Sequence, residues 1–369
     1  WVAGSGGVRR RCRIHQEGVY GLTRCLYLPG QPGALAWVVG DAPAARDALA
    51  KFSWKSPAVV VKVLDSVLRG IAQVAFGNNP ISGLLILIAA GHSNFNAVLI
   101  GTVSTALYPL VFHTPLSPAV WGYIIVAAMF TVCVMAGLGR ILEGHNIPAY
   151  TLPFNIAIST TFLCMKAAGF GEEASPAPSE EPDTGLQWDQ VFLGTLLSAG
   201  HVWAVESVAC SVLVLLGLFI FSPTLTLVSY LGATLGTLTG LVVSSAPYTL
   251  VYHGIWGYNG FLAAGSIAFF MAPTPRVILV AAINAVFATY LQAALIPVYA
   301  ANGLPVFTFP FCLASVLFLA TAMAMGPSTL RVTSPSFPEL HLVQYNQKSR
   351  IVATKDNRDG DETTTEPMV

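Results

Sequence analysis

The sequence predicts an all-α integral membrane protein made of two related halves, with short re-entrant segments around a central path. Three observations carry that prediction. The 369-residue chain is 54% hydrophobic and only 10% charged, whereas an ordinary soluble domain carries about 25% charged residues, so its surface cannot lie mostly in water. The apolar residues gather into stretches broken by Gly and Pro. One motif occurs twice, as IPAYTLPF at 147–154 and LPVFTFPF at 304–311. In each copy a proline (Pro148, Pro305) precedes a threonine (Thr151, Thr308) by three residues, and a Pro-Phe pair (Pro153-Phe154, Pro310-Phe311) follows by two. Upstream of each copy stands a matching asparagine, Asn96 in SNFNAVLIG and Asn259 in WGYNGFLAAG. A motif repeated at half the chain's spacing marks a duplication. Wrapped in apolar segments, it points to a transporter or channel.

Residues 1–55 are punctuated by Gly, Arg and Pro without a period and read as an unstructured cytosolic tail, beginning at Trp1 with no leader pattern. A first membrane unit follows over 56–168, with apolar stretches at 81–90, 97–112, 118–138 and 154–169. A second covers 191–326, with stretches at 208–221, 224–245, 256–271, 277–299 and 309–325. A full span needs about 20 residues, and several of these are shorter. Short, Pro- and Gly-broken segments in matching places of two halves predict discontinuous helices lining a site. Between the units, 169–190 is acidic and Pro-rich and reads as an aqueous loop. Residues 327–369 read as a second cytosolic tail, disordered at its charged end.

Zero formal net charge argues against a nucleic-acid partner. The six cysteines form no C-x-x-C pair and read as small buried hydrophobes, with no metal site or cofactor. No nucleophile–base set or phosphate loop suggests an enzyme. Four segments decide the matter further: LRGIAQVAFGNNPISGLL at 68–85, which contains Pro80, IPAYTLPFNIA at 147–157, YHGIWGYNGFLA at 252–263 and LPVFTFPFCLA at 304–314. Together they resemble the urea transporter family, over about residues 53–330.

The resemblance implies a plasma-membrane homotrimer surrounded by lipid, each protomer with its own pore. Each protomer would be two inverted repeats of five membrane helices plus a re-entrant helix, conducting urea passively. Thr151 and Thr308 match the family's central constriction, and Gln73 matches the re-entrant glutamine of the first half. The corresponding position of the second half is His201 rather than Gln, so a symmetric amide pair is not expected.

The residue chemistry suits that solute. Threonine hydroxyls both donate and accept, and Pro-broken helix ends supply unpaired backbone groups at membrane depth. Phe76, Phe154, Phe309 and Phe311 are candidate flat walls. An arbitrary membrane threonine more often bonds its own i−4 carbonyl, and twin placement is what lifts these two. Asn96 and Asn259 read better as helix caps than as solute ligands. Glu206 has two open readings, an acid in the path or a helix N-terminus at the interface.

The two threonines are 157 positions apart and the two asparagines 163, but Gln73 and His201 only 128. The first half is therefore expected to lack about 35 residues, roughly one span with its loop, near Ala89–Asn94. Losing one span leaves the basic residues of the two ends on opposite sides, against the positive-inside bias. A shortened form that regulates complete chains without conducting is the second expectation. An ammonia or water channel is the third.

Overall fold

The computed structural model describes residues 38, 40–52, 56, 59–73, 78–91, 99–145, 147–171, 185–245, 247–324, 331–332, 335–347 and 349. Helices make up nearly all of the regular structure, and no strand longer than the isolated Met271–Arg331 bridge occurs among the described residues. In chain order the helices are α1 (Pro43–Ala50), α2 (Val59–Gln73), α3 (Pro80–Gly91), α4 (Leu99–Phe112), α5 (Pro118–Glu143), α6 (Leu152–Ala167), α7 (Trp188–His201), α8 (Val208–Phe221), α9 (Pro223–Val243), α10 (Thr249–Tyr252), α11 (Tyr258–Phe270), α12 (Pro275–Ala300) and α13 (Phe309–Ala324). A further helical stretch covers 338–347.

Prolines set several starts, since a first-turn N–H has no helical partner to lose. Pro118, Pro223 and Pro275 open α5, α9 and α12. Ser207, Ser222 and Thr274 cap α8, α9 and α12 by accepting N–H groups of the first turn. By length and composition α5, α9 and α12 are long and apolar enough to cross a membrane, and α4, α8 and α11 are shorter apolar helices. The 12- to 16-residue helices among the expected segments fit the reading of short, broken pieces.

Among the described residues two large apolar cores, with a small third one around Val191, Val251 and Trp256, organise the molecule. The larger joins α2, α7 to α9 and α11 to α13, while the smaller joins α4 to α6 and receives Leu304 and Phe307 from the later segment. Within the larger core α9 and α11 touch at backbone distance. A Cβ on Gly232 would lie 2.3 Å from the Gly260 carbonyl oxygen, and one on Gly240 would strike the Trp256 ring. This glycine ridge at four-residue spacing is the packing device of membrane helices, where close van der Waals approach replaces hydrophobic drive. The α3 helix crosses α8 where Ser82 Oγ donates to the Gly217 carbonyl at 2.6 Å.

One expectation needs correction. Residues 1–55 were expected to be unstructured, yet α1 forms there, and Asn79 Nδ2 donates to the Val38 and Gly40 carbonyls to hold the segment down. In the C-terminal tail, Phe337, Glu339 and His341 are buried. Phe337 packs edge-on against Phe221, and Glu339 accepts from the Ser222 hydroxyl and the Thr224 N–H, each at 2.7 Å. A few anchoring side chains order a segment whose average composition is polar. The stretch from 351 onward lies outside the described residues, and the second unit's first helix starts at Trp188, slightly before 191.

Candidate functional site

Each copied motif folds in the same way. Residues 147–149 and 304–306 take no regular secondary structure, as prolines at 148 and 305 disfavour helix in the residue before them. Tyr150 and Phe307 then take left-handed backbone conformations, φ 48° and 53°, which cost a non-glycine residue about 1–3 kcal/mol. The turn delivers Thr151 and Thr308 to the starts of α6 and α13, where their carbonyls accept from Asn155 N and Cys312 N. Pro153 and Pro310 occupy the first turns, where no N–H is needed.

The two helix starts meet head to head. Thr151 Oγ1 lies 2.7 Å from Thr308 Oγ1. Around that contact the bonds are reciprocal. Asn155, four residues after the first threonine, donates through Nδ2 to Thr308 Oγ1 at 2.9 Å. Cys312, four residues after the second, places Sγ 3.2 Å from Thr151 Oγ1. The aromatic contacts are crossed as well: Phe154 meets Phe307 edge-on, and Phe311 meets Tyr150. Asn155 and Cys312 are fully buried and Thr308 nearly so. Neither threonine bonds an i−4 carbonyl, because the residues before them are not helical.

On one side of the pair opens a mostly apolar cavity of about 430 Å³. Phe154, Phe307, Tyr258 and Gln292 line it beside Thr308, while His201 and Glu206 lie along its edge. Glu206 also borders a second hollow with His253, whose Nδ1 is 2.5 Å from Glu206 Oε1. His201 Nε2 lies 2.5 Å from the His253 carbonyl oxygen. Asn259 ties the wall together: Nδ2 donates to Gln292 Oε1 at 2.9 Å, and Oδ1 accepts from Phe311 N in the first turn of α13. It thus caps a neighbouring helix rather than its own.

The remaining sequence candidates are spread more widely. Gln73 ends α2 with an exposed side chain and does not line the cavity that His201 borders. Phe309 is half-buried, with its ring 6.5 Å from that of Tyr299. Phe76 and Asn96 lie outside the described residues.

A family-wide pattern described as "UT: Urea transporter" matches residues 64–111 and 88–323. The chain belongs to the urea transporter family. Similar proteins include "Urea transporter 1" of Ovis aries and of Capra hircus, each 29% identical over 360 residues, covering 86% of this chain and 91% of the relative. "Urea transporter 1" of Rattus norvegicus is 29% identical over 342 residues, covering 80% and 85%. Urea transporters are integral membrane proteins and not enzymes.

Sequence reasoning passed over Asn155, Cys312, Tyr150 and Phe307. The first two were legible in principle, because both sit four places beyond a motif threonine, one helical turn on. No comparable signal marks the left-handed pair, since aromatic residues rarely adopt that conformation.

Proposed function

We propose that this urea transporter carries urea passively across the plasma membrane, with the Thr151–Thr308 pair as the narrow point of its path. The observation that carries the reading is the 2.7 Å contact between the two hydroxyls at the meeting of two copied motifs. Urea is planar and uncharged, with four N–H donors and one carbonyl acceptor. A neutral hydroxyl pair between aromatic edges can exchange hydrogen bonds with it and offers an ion no compensation for lost hydration. Among the described residues no charged side chain joins the threonine network, so nothing there couples passage to an ion gradient.

The same reading takes the halves as inverted repeats within a homotrimer. Equal lengths support the repeats: α5 and α12 have 26 residues each, α6 and α13 have 16 each. The crossed bonds at the threonine pair are the pattern that a twofold relation between the halves produces. Gln73 and His201 are then the corresponding groups of the two re-entrant segments.

A second reading, a shortened form that regulates complete chains, is favoured by the step in register. α3 and α8 start 128 positions apart, but α5 and α12 start 157 apart. Between α8 and the later helices stands α9, and no first-half helix among the described residues takes its place. The family pattern also matches in two pieces that overlap at 88–111, where the step falls. The missing span is therefore the counterpart of α9.

Urea uptake into proteoliposomes tests both readings, using this chain, its Thr308→Val variant and a version with one span restored after Ala90. Passive conduction predicts uptake by the unaltered chain and about a tenfold loss in Thr308→Val, the worth of one to two hydrogen bonds. Uptake by the restored chain alone supports the regulatory form. No uptake by either sinks the assignment of urea to this path.

A further inference from the structure

Asn155 and Cys312 hold the threonine pair from opposite sides, and their chemistry is unequal: one is a strong amide, the other a weak thiol. We propose that they are positioning residues that fix the direction of hydrogen bonding through the pair, running Asn155 → Thr308 → Thr151 → Cys312. The path then meets oxygen lone pairs at its narrow point and no free hydroxyl hydrogen. For its effect on flux the proposal rests on the urea-path reading. For the bond direction it does not.

The first step follows from groups that cannot reverse, and the two later steps from which acceptor is nearer. Asn155 Nδ2 donates to the backbone carbonyl of Thr151 at 2.7 Å, and its Oδ1 accepts from the backbone N–H of Thr308 at 3.0 Å. A carbonyl only accepts and an N–H only donates, so the amide cannot be turned over. Its second N–H therefore points at Thr308 Oγ1, 2.9 Å away. That oxygen, already accepting, sends its own hydrogen to the nearer of two acceptors, Thr151 Oγ1 at 2.7 Å rather than Asn155 Oδ1 at 3.3 Å. The Thr151 hydrogen then goes to Cys312 Sγ at 3.2 Å. Each threonine oxygen is left with one unused lone pair.

An acceptor-only narrow point sorts solutes by donors. Urea can give one N–H to each oxygen from its two amino groups. Acetamide has nearly the same shape but a methyl group in place of one amino group, and can satisfy only one oxygen well. Removing the sulfur frees the Thr151 hydroxyl to turn and donate into the path, which takes away one of urea's two acceptors and leaves acetamide's single one.

The flux test compares urea and acetamide uptake by the full chain, Cys312→Ala and Cys312→Ser. The urea-to-acetamide ratio falls about threefold or more in Cys312→Ala, the worth of roughly one net hydrogen bond, and is kept in Cys312→Ser, whose oxygen still accepts. A ratio unchanged in Cys312→Ala, or both fluxes lowered in step, overturns the proposal and leaves Cys312 a packing residue. A chain that carries neither solute fails the urea-path reading instead, and bond direction is then decided without flux. The infrared S–H stretch of Cys312, isolated by subtracting the spectrum of Cys312→Ser, stands at the position of a non-donating thiol if the sulfur accepts. A band lowered in frequency that recovers in Thr151→Val shows the thiol donating to Thr151, and overturns the proposed direction.

Discussion

The α5 and α12 helices have the same length and lie in the same register, yet they live in different surroundings. In α12, seven residues are buried: Val277, Ala281, Asn284, Ala285, Ala288, Thr289 and Gln292. In α5 the first three of these positions are matched by buried Val120, Ile124 and Ala127, and burial stops there. Val132 and Met135, which correspond to Thr289 and Gln292, are 69% and 50% exposed against 0% and 1%. What covers Thr289 is α9, whose Gly236 would bring a Cβ to 3.1 Å from Thr289 Oγ1. The side chains follow the surroundings. Thr and Gln at the covered positions become Val and Met at the bare ones, as hydrocarbon in place of a polar partner requires. On the reading proposed above the two helices are copies in different environments, and the lost counterpart of α9 is the reason.

The strongest way to break this comparison is through its glycines. Gly232→Ala puts a methyl against the Gly260 carbonyl, with backbone on both sides, and should destabilise the protein in detergent by about 2–3 kcal/mol or prevent folding. Gly137→Ala in α5 meets open space and should leave the melting temperature unchanged or slightly raised. Equal damage from the two changes means that α5 has a partner after all.

Next in size is Gln292→Leu. It removes one of two acceptors from Asn259 Nδ2, which keeps the Phe307 carbonyl at 3.3 Å, and the donor from the Ile255 carbonyl, at a cost of about 1–3 kcal/mol. Met135→Leu should cost under about 1 kcal/mol. Chemical-denaturation midpoints would separate them, and matched losses would show that burial is not what distinguishes the helices. Tryptophan placed at Val132 should be quenched by brominated lipid, whereas tryptophan at Thr289, if tolerated, should not. The reverse order would put α5 inside the protein.

The smallest effect concerns the 335–347 strap, which packs on the larger core through Phe337 and reaches Asp41 through the Ser336 hydroxyl. Burial pushes the His341 imidazole down to about 4, and its Nε2 accepts from Ser336 N at 2.8 Å, which requires the neutral ring. A folded-state value below the unfolded 6.5 means the strap is fully held above about pH 6.5 and loosens as pH falls toward 4. Amide exchange at the α8–α9 junction should rise over that window while α5 and α6 stay unchanged. His341→Leu should remove the pH dependence, and its persistence would assign the effect elsewhere.

These contrasts also show what the sequence could reveal. The twin motif located the threonine pair because Pro and Phe stand at the same offsets from both threonines, and apolar runs marked α4, α5, α8 and α12 within a few residues. The α2 helix was harder, because Lys62, Asp65 and Arg69 interrupt its pattern, and Arg69 is buried by bonds to the Asp41 and Asn78 carbonyls. The strap left no mark because three buried side chains among polar neighbours make no period. The bare face of α5 was hidden for the opposite reason, since an apolar helix reads alike whether it faces protein or lipid.

Glu339 carries a last implication, for the order in which the molecule is made. Its carboxylate receives the Thr224 N–H at the start of α9 from 115 residues further along the chain. During synthesis α9 emerges and inserts long before that carboxylate exists. Its first turn must hold a provisional partner until residue 339 arrives. A ribosome that stops before residue 339 leaves this helix start without its carboxylate partner beside the buried Phe221, so the second half registers whether that carboxylate has been made.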